Sequence, residues 1–341
     1  LKETEIAVGF TSPFVEFLAQ SRCDGVRFGR TLTLGRQDLL VSPLRVEAAL
    51  RDSGCWPSGL DRREFLDALC QKQYYADPFL RALGATEVSS LDASPFEGAG
   101  IIHDLNEPIL EEHHGQYDAV IDGGLLEHIF NFPVALKSCM EMVKVGGTLL
   151  IHTPANNYFG HGFYQFSPEL FFRAFSRENG YRLDRIVALE NDLKHSRFID
   201  RKYTSEWAGR SYDVTDPDGL GRRGLLVGRR PVVLHIRATR VRQAPIFARP
   251  PQQSDYAAAW RRHEKPGVDL APRLARFPKS LLKRFMTQCG RLHLEYHLIG
   301  LILRSIDPTH FAREYRKRSF RDRRAFRPVE SKPVALGGHP R

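Results

Sequence analysis

The chain has 341 residues, 42% of them hydrophobic, enough to bury a sizeable core in one large domain or in a domain with an appendage. No run of about 18 apolar residues occurs, which argues against a membrane-spanning helix, and no basic-then-apolar leader pattern opens the sequence. The net charge of +10 is concentrated: residues 257–330 hold 18 Lys/Arg against 7 Asp/Glu, so the excess describes the tail and leaves the remainder near neutral.

In chain order, residues 1–27 read as a helical lead-in. Residues 30–34 form a short β-branched run between Gly29 and Gly35, which predicts a buried strand. Ser42 and Pro43 then supply an N-cap and a first-turn proline for a helix over 44–50, stopped by Gly54. Further helices are expected over about 61–75 and 78–83, the segment 55–77 forming a helical insertion after the first strand. From there strands alternate with helices. Strands are predicted over 87–91, 100–103, 117–121, 148–152, 183–189 and 231–238, and helices over 132–143 and 167–175. Residues 191–229 are polar and Gly-rich and show no clear period, and Arg249, Pro250 and Pro251 mark a linker over 241–256. Such alternation implies a doubly wound, mostly parallel α/β sheet, here of seven strands, spanning about 28–240 with a basic, partly helical extension over 257–341.

The cysteines (Cys23, Cys55, Cys70, Cys139 and Cys289) are odd in number, scattered, and include no C-x-x-C pair. That pattern suits reduced thiols in a cytoplasmic protein and predicts no structural metal.

In an open parallel sheet, ligands bind outside the carboxyl ends of the strands. Here those ends carry Gly35, Asp92, Asp104 and Asp122. A glycine lets backbone approach a ligand, a carboxylate on the next strand can accept two ribose hydroxyl protons, and a polar residue one strand on can meet an adenine amino group. The run from Tyr117 through Asp122 and Gly123 to Glu127 and His128, followed by a helix and the Gly146-Gly147 turn, resembles the second half of class I S-adenosylmethionine-dependent methyltransferases. His161, followed by Phe166, Ser167, Pro168, Glu169 and Leu170, is similar to the substrate-side segment of that family. The resemblance covers about 28–190.

The resemblance implies S-adenosylmethionine as cofactor, with Gly35, Arg36 and Gln37 at its methionine half. It places Asp92 and Ala93 at the ribose, Asp104 and Leu105 at the adenine, and Asp122 and Gly123 under the sulfonium. The glycine loop departs from the family pattern: one glycine remains, and Asp92 follows Gly35 by 57 residues where roughly 20 are usual. Arg36 and Gln37 can replace the lost backbone contacts, a guanidinium being suited to the methionine carboxylate.

Methyl transfer needs in-line approach of the acceptor, and a hydroxyl acceptor also needs a base, for which histidine is suited near neutral pH. His161, in a Gly160–Gly162 setting, and His128 are the candidates, with Glu127 read as structural. His103, His152 and His235 fall in apolar strands and read as core, and His113 and His114 as solvated. The expected reaction is methyl transfer to a hydroxyl of a small-molecule or sugar-like acceptor in bacterial biosynthesis. A catalytically inactive binding or scaffold protein is the rival that the reduced glycine loop raises, and an RNA methyltransferase the one that the basic tail raises. Thr153, Pro154, Ala155 and Asn156 do not match an asparagine-proline-proline-tyrosine-like motif, which argues against methylation of base amino groups. The amphipathic stretch 279–306 is open to packing on the catalytic domain or a second subunit and to contact with an anionic membrane surface. The basic run 313–327 reads as a solvated tail, with nucleic acid not excluded as a contact.

Overall fold

The computed structural model describes residues 9–70, 75–95, 97–191, 209–257, 260 and 318–329. The stretch 279–306 lies outside the described residues, as do 313–317 of the basic run. The chain divides into two compact units, one of residues 1–216, 229–253 and 327–341, the other of 217–228 and 254–326.

The first unit opens with β1 (Gly9–Phe10) and α1 (Ser12–Cys23). Pro13 sits in the first turn of α1, where its missing N–H costs nothing, and the Thr11 carbonyl accepts from the amides of Phe14 and Val15. Phe14, Val15, Phe17 and Leu18 recur at helical spacing and are all buried. Next come β2 (Gly29–Leu34), β3 (Asp38–Leu39) paired with β1, and helices α2 (Pro43–Asp52), α3 (Arg62–Leu69) and α4 (Asp77–Ala82). The Asp61 side chain caps α3 by accepting from Glu64 N at 2.8 Å. Three helices thus fill the long interval between β2 and Asp92.

The chain continues through β4 (Ala85–Asp92), β5 (Ile101–Ile102), β6 (Tyr117–Asp122), α5 (Phe132–Met142) and β7 (Val143–Asn156). There follow α6 (Pro168–Ala174), β8 (Tyr181–Asn191), β9 (Gly209–Val214), α7 (Pro217–Leu220), β10 (Val232–Arg240) and β11 (Phe326–Pro328). The sheet order is β11-β9-β8-β10-β7-β6-β2-β4-β5. Five neighbours, β7 to β5, are mutually parallel, while β10 runs antiparallel between β7 and β8. Among the described residues this sheet has nine strands, the seven expected together with β9 and β11. The addition of β9 comes from the stretch without clear periodicity: only six residues pair, antiparallel to β8, and their burial is too slight to leave an apolar alternation.

From β2 the chain winds outward to β4 and β5, then returns to place β6 on the other side of β2. The direction of winding reverses at β2, which makes the carboxyl ends of β2, β4 and β6 the rim of a crevice. Leu34 is paired with Leu91 on one side and Asp122 on the other, so these three ends are level.

At the amino end of β7 the pairing skips from Val143 opposite Tyr117 to Thr148 opposite Ala119, and Gly146 takes φ +85° in the extra loop. A Cβ on Gly147 would stand 2.9 Å from the carbonyl oxygens of both Tyr117 and Asp118. Those are backbone atoms of a central strand and cannot swing aside. Gly147→Ala is therefore expected to cost about 1–3 kcal/mol, read as a lower urea midpoint with unchanged slope.

In the second unit, Arg223 pairs with Asp255 at 2.7 Å, Val227 N donates to the Arg318 carbonyl, and the Phe320 and Phe326 rings lie 5.0 Å apart. Among the described residues no helix is long and apolar enough to cross a membrane. The described cysteines, Cys23, Cys55, Cys70 and Cys139, are free thiols.

Candidate active site at the ends of the central strands

Gly35 closes β2 with φ +69°, a left-handed turn that favours glycine, and its amide donates to the Leu91 carbonyl at 2.7 Å. The turn sets the next residues over the strand ends. A Cβ at Gly35 would lie 3.5 Å from Gln37 Nε2 and 3.8 Å from Asp92 Oδ2, so the glycine, the amide and the carboxylate form one cluster. Gln37 is 2% exposed. Its Nε2 donates to the Leu34 carbonyl, while its buried Oε1 has no hydrogen-bond partner. That oxygen stands 2.0 Å from where a Cβ on Gly123 would be, so the side chain bridges from the end of β2 to the end of β6. Arg36 turns the other way: its guanidinium lies 4.0 Å from the centre of the Tyr75 ring and donates to the Glu97 carbonyl.

Asp92 accepts from Ser94 N at 3.1 Å through Oδ1, and its carbonyl accepts from His103 N, which draws the segment after β5 alongside. Ala93 is exposed. Asp104 accepts from the backbone and side-chain nitrogens of Asn106, which hold its carboxyl below the usual range, and Leu105 is buried. Gly35, Asp92, Asp104 and Asp122 thus stand at or just past the ends of four neighbouring parallel strands, β2, β4, β5 and β6.

Asp122 is fully buried. Its Oδ1 accepts from Gly124 N at 3.1 Å and Leu125 N at 2.8 Å, but its Oδ2 has no partner. Burial first, and the nearby Glu127 second, raise its pKa to about 8 despite the backbone donors. Two buried oxygens, Gln37 Oε1 and Asp122 Oδ2, therefore have no hydrogen-bond partner in this crevice. Such groups are costly unless a ligand pairs them or brings positive charge that keeps Asp122 ionised.

Beyond Asp122 a short 3₁₀ turn, Leu126–His128, carries Glu127 inward and His128 toward the surface. Thr153, near the end of β7, donates its hydroxyl to Glu127 Oε2 at 3.0 Å. Glu127 Oε1 faces His161 Nε2 at 3.6 Å, and the His128 and His161 rings are 5.0 Å apart at 67°. The facing Glu127 carboxylate raises the His161 pKa, whereas burial lowers that of His128. The loop carrying His161 is pinned to Glu127 itself, whose carbonyl accepts from Phe163 N at 2.8 Å and Tyr164 N at 3.2 Å. Phe130, Phe159 and Phe163 are exposed around this cluster, with Phe130 and Phe163 in an edge-on ring contact at 5.9 Å.

His152 and His235 lie buried in neighbouring strands as expected of core residues, and bond to each other. His113 and His114 are half-buried, 3.7 Å from Glu112 and Glu141 respectively. Sequence reasoning missed the inward turn of Gln37, the Thr153 bond to Glu127, and the meeting of Glu127 with His161 across 34 positions. The only signal for the last was the chemistry of an acid beside a histidine at a strand end.

The strand order with its antiparallel insertion is the sheet of the class I methyltransferase fold, and the protein has that fold. No family model matches the chain, and no curated protein matches it. Solved structures similar to it include a possible histamine N-methyltransferase of Thermotoga maritima, with 14% identity over 67% of this chain and 90% of that one, at a TM-score of 0.30. Another is the branched-chain polyamine synthase of Thermus thermophilus, bound to N4-aminopropylspermidine and 5'-methylthioadenosine, with 14% identity over 72% of this chain and 62% of that one and a TM-score of 0.33. A third is the trans-methyltransferase CalH with S-adenosylhomocysteine, at 13% identity over 67% and 54% and a TM-score of 0.28. Likeness at this level carries no substrate across.

Proposed function

We propose that the protein is an S-adenosylmethionine-dependent methyltransferase acting on a hydroxyl of a small-molecule or sugar-like acceptor. The observation that carries this reading is the pair of unpartnered buried oxygens, Gln37 Oε1 and Asp122 Oδ2, in the crevice where the sheet reverses. A ligand bearing an ammonium and a sulfonium suits them: the ammonium brings donors, and the positive charge favours the ionised Asp122 carboxylate. Gly35, Arg36 and Gln37 meet the methionine half. Asp92 and Ala93 take the ribose, Asp104 and Leu105 the adenine, and Asp122 and Gly123 the sulfonium end.

The bound cofactor supplies an electrophilic methyl group. The chain's own work is to hold the acceptor in line and relieve its oxygen of a proton. His161 is the base, oriented by Glu127, and His128 lies beside it as the second candidate. The exposed faces of Phe130, Phe159 and Phe163 suit the flat face of a sugar or aromatic ring.

The test is titration calorimetry with S-adenosylmethionine and S-adenosylhomocysteine on the intact chain and on Asp92→Ala. Micromolar binding is expected. The substitution removes hydrogen bonds from a charged acceptor, about 1.5–3 kcal/mol, and should weaken binding roughly 10- to 100-fold. Absence of binding by the intact chain would favour the scaffold reading, for which one observation speaks: the Gln37 side chain fills the gap beside Gly123.

A further inference from the structure

We propose that Glu127, His128 and His161 form a binding site for one divalent transition-metal ion, open on its solvent side. One carboxylate oxygen and a ring nitrogen from each histidine lie within 4.8 Å of one another, with Glu127 Oε1 and His161 Nε2 at 3.6 Å. Bonds of about 2.1 Å to an ion set adjacent ligand atoms roughly 3 Å apart, so the widest pair needs to close by no more than about 2 Å. Two imidazoles and one carboxylate make a donor set for zinc, iron(II), manganese or cobalt. Calcium and magnesium prefer all-oxygen shells.

The surroundings build this arrangement. The Thr153 hydroxyl holds Glu127 Oε2, which fixes the carboxylate and leaves Oε1 turned to His161, as an outer partner does for a metal ligand. The loop bearing His161 is tied to the Glu127 carbonyl by two amides. Gly162 permits that approach: its φ is +68°, and a Cβ there would stand 2.8 Å from the same carbonyl oxygen. Gly160, at φ +83°, precedes His161 and gives the loop a second left-handed turn. Glu127 is buried while both histidines are only half-buried, so the remaining coordination positions face the side on which Phe130 and Phe163 are exposed.

An acceptor hydroxyl bound at an open position would be acidified by the ion and lose its proton to water, the imidazoles then acting as ligands. That use rests on the methyl-transfer reading; the binding itself does not.

The experiment takes the full chain, stripped with EDTA and desalted, and titrates it with Zn²⁺ by calorimetry and with Co²⁺ by visible absorption. One ion per chain at micromolar or tighter affinity is expected, with cobalt bands of nitrogen and oxygen coordination. His161→Ala should weaken binding at least about 100-fold. Glu127→Gln keeps an acceptor for Thr153, so it preserves packing, and it should lose the ion to the same degree. His114→Ala, beside Glu141 and away from the cluster, should bind as the parent does. No stoichiometric ion, or one that survives both His161→Ala and Glu127→Gln, overturns the proposal. S-adenosylhomocysteine is titrated into the same samples. Binding of it without an ion defeats the metal site alone, and an ion without it defeats the methyl-transfer reading alone.

Discussion

Asp122→Asn is expected to stabilise the protein at pH 7–8 by on the order of 2 kcal/mol, with a gain that fades as the pH falls toward 4. The parent carboxyl has a folded pKa of about 8, set by burial and by Glu127, against an ordinary value of 3.8. Below pH 4 it is protonated in both folded and unfolded chains and contributes no slope. Between 4 and 8 the folded state retains a proton that the unfolded chain gives up, so stability declines as pH rises through this window. Asparagine carries no charge to desolvate and still offers an oxygen to Gly124 N and Leu125 N. The ceiling implied by the pKa difference is about 6 kcal/mol, which relaxation around the site reduces. Urea unfolding of parent and variant in EDTA from pH 4 to 8 measures the difference directly. A difference that does not grow with pH would show that Asp122 is not strained. Together with weaker cofactor binding, a stabilised Asp122→Asn would mean that the crevice retains an awkward carboxylate for use, at the expense of stability.

The second large effect has the opposite sign in pH. His152 and His235 are buried side by side, Nδ1 of the first 3.0 Å from Nε2 of the second, beneath Phe14 and Phe17 of α1. Such a bond needs one ring to donate and the other to accept; protonating the accepting ring sets two donors face to face, and protonating either buries a charge. Burial lowers the pKa of His152 to about 4 and that of His235 well below its ordinary value. Above pH 6.5 both rings are neutral in both states. Below it the unfolded chain takes up protons that the folded core refuses, so stability falls with pH down to about 4. Two such groups give a limiting loss of about 2.7 kcal/mol per pH unit. The double variant His152→Met/His235→Leu should remove that slope, and its advantage over the parent should widen steadily from pH 6.5 to 4.5. Parallel curves for the two proteins would sink the idea. Asp122 partly offsets this loss in the parent, which is why each prediction is read as a difference between proteins.

The middle of the molecule was legible in the sequence because its signals are local. Asp122 ends β6 and Ser167-Pro168 opens α6 as read, whereas Gly146-Gly147 sits at an irregularity inside β7, which begins at Val143. Helix α1 follows its own apolar spacing, but nothing local announces that it lies over two histidines from strands far along the chain. Strand β9 was hidden because it is short and lightly buried. In the crevice, the ends of β2, β4 and β6 were readable from glycine and aspartate after apolar runs. The direction of each side chain was not. Arg36 and Gln37 are adjacent, yet one stacks on Tyr75 and the other is buried against Gly123, a division that only the left-handed turn at Gly35 decides. The Glu127–His161 meeting depends on a loop closing through two glycines, and loop closure leaves no periodic trace.

The placement of β10 governs when this sheet can first exist during synthesis. It joins β7 to β8, yet it leaves the ribosome after both, so residues 143–191 must wait with a strand-wide gap between them. Until residues 232–240 emerge, β7 and β8 both present open hydrogen-bonding edges flanked by apolar side chains, a state open to pairing with other nascent chains. Folding of this unit is therefore bound to its last long strand, and a translational pause before residue 232 would prolong the interval of greatest exposure.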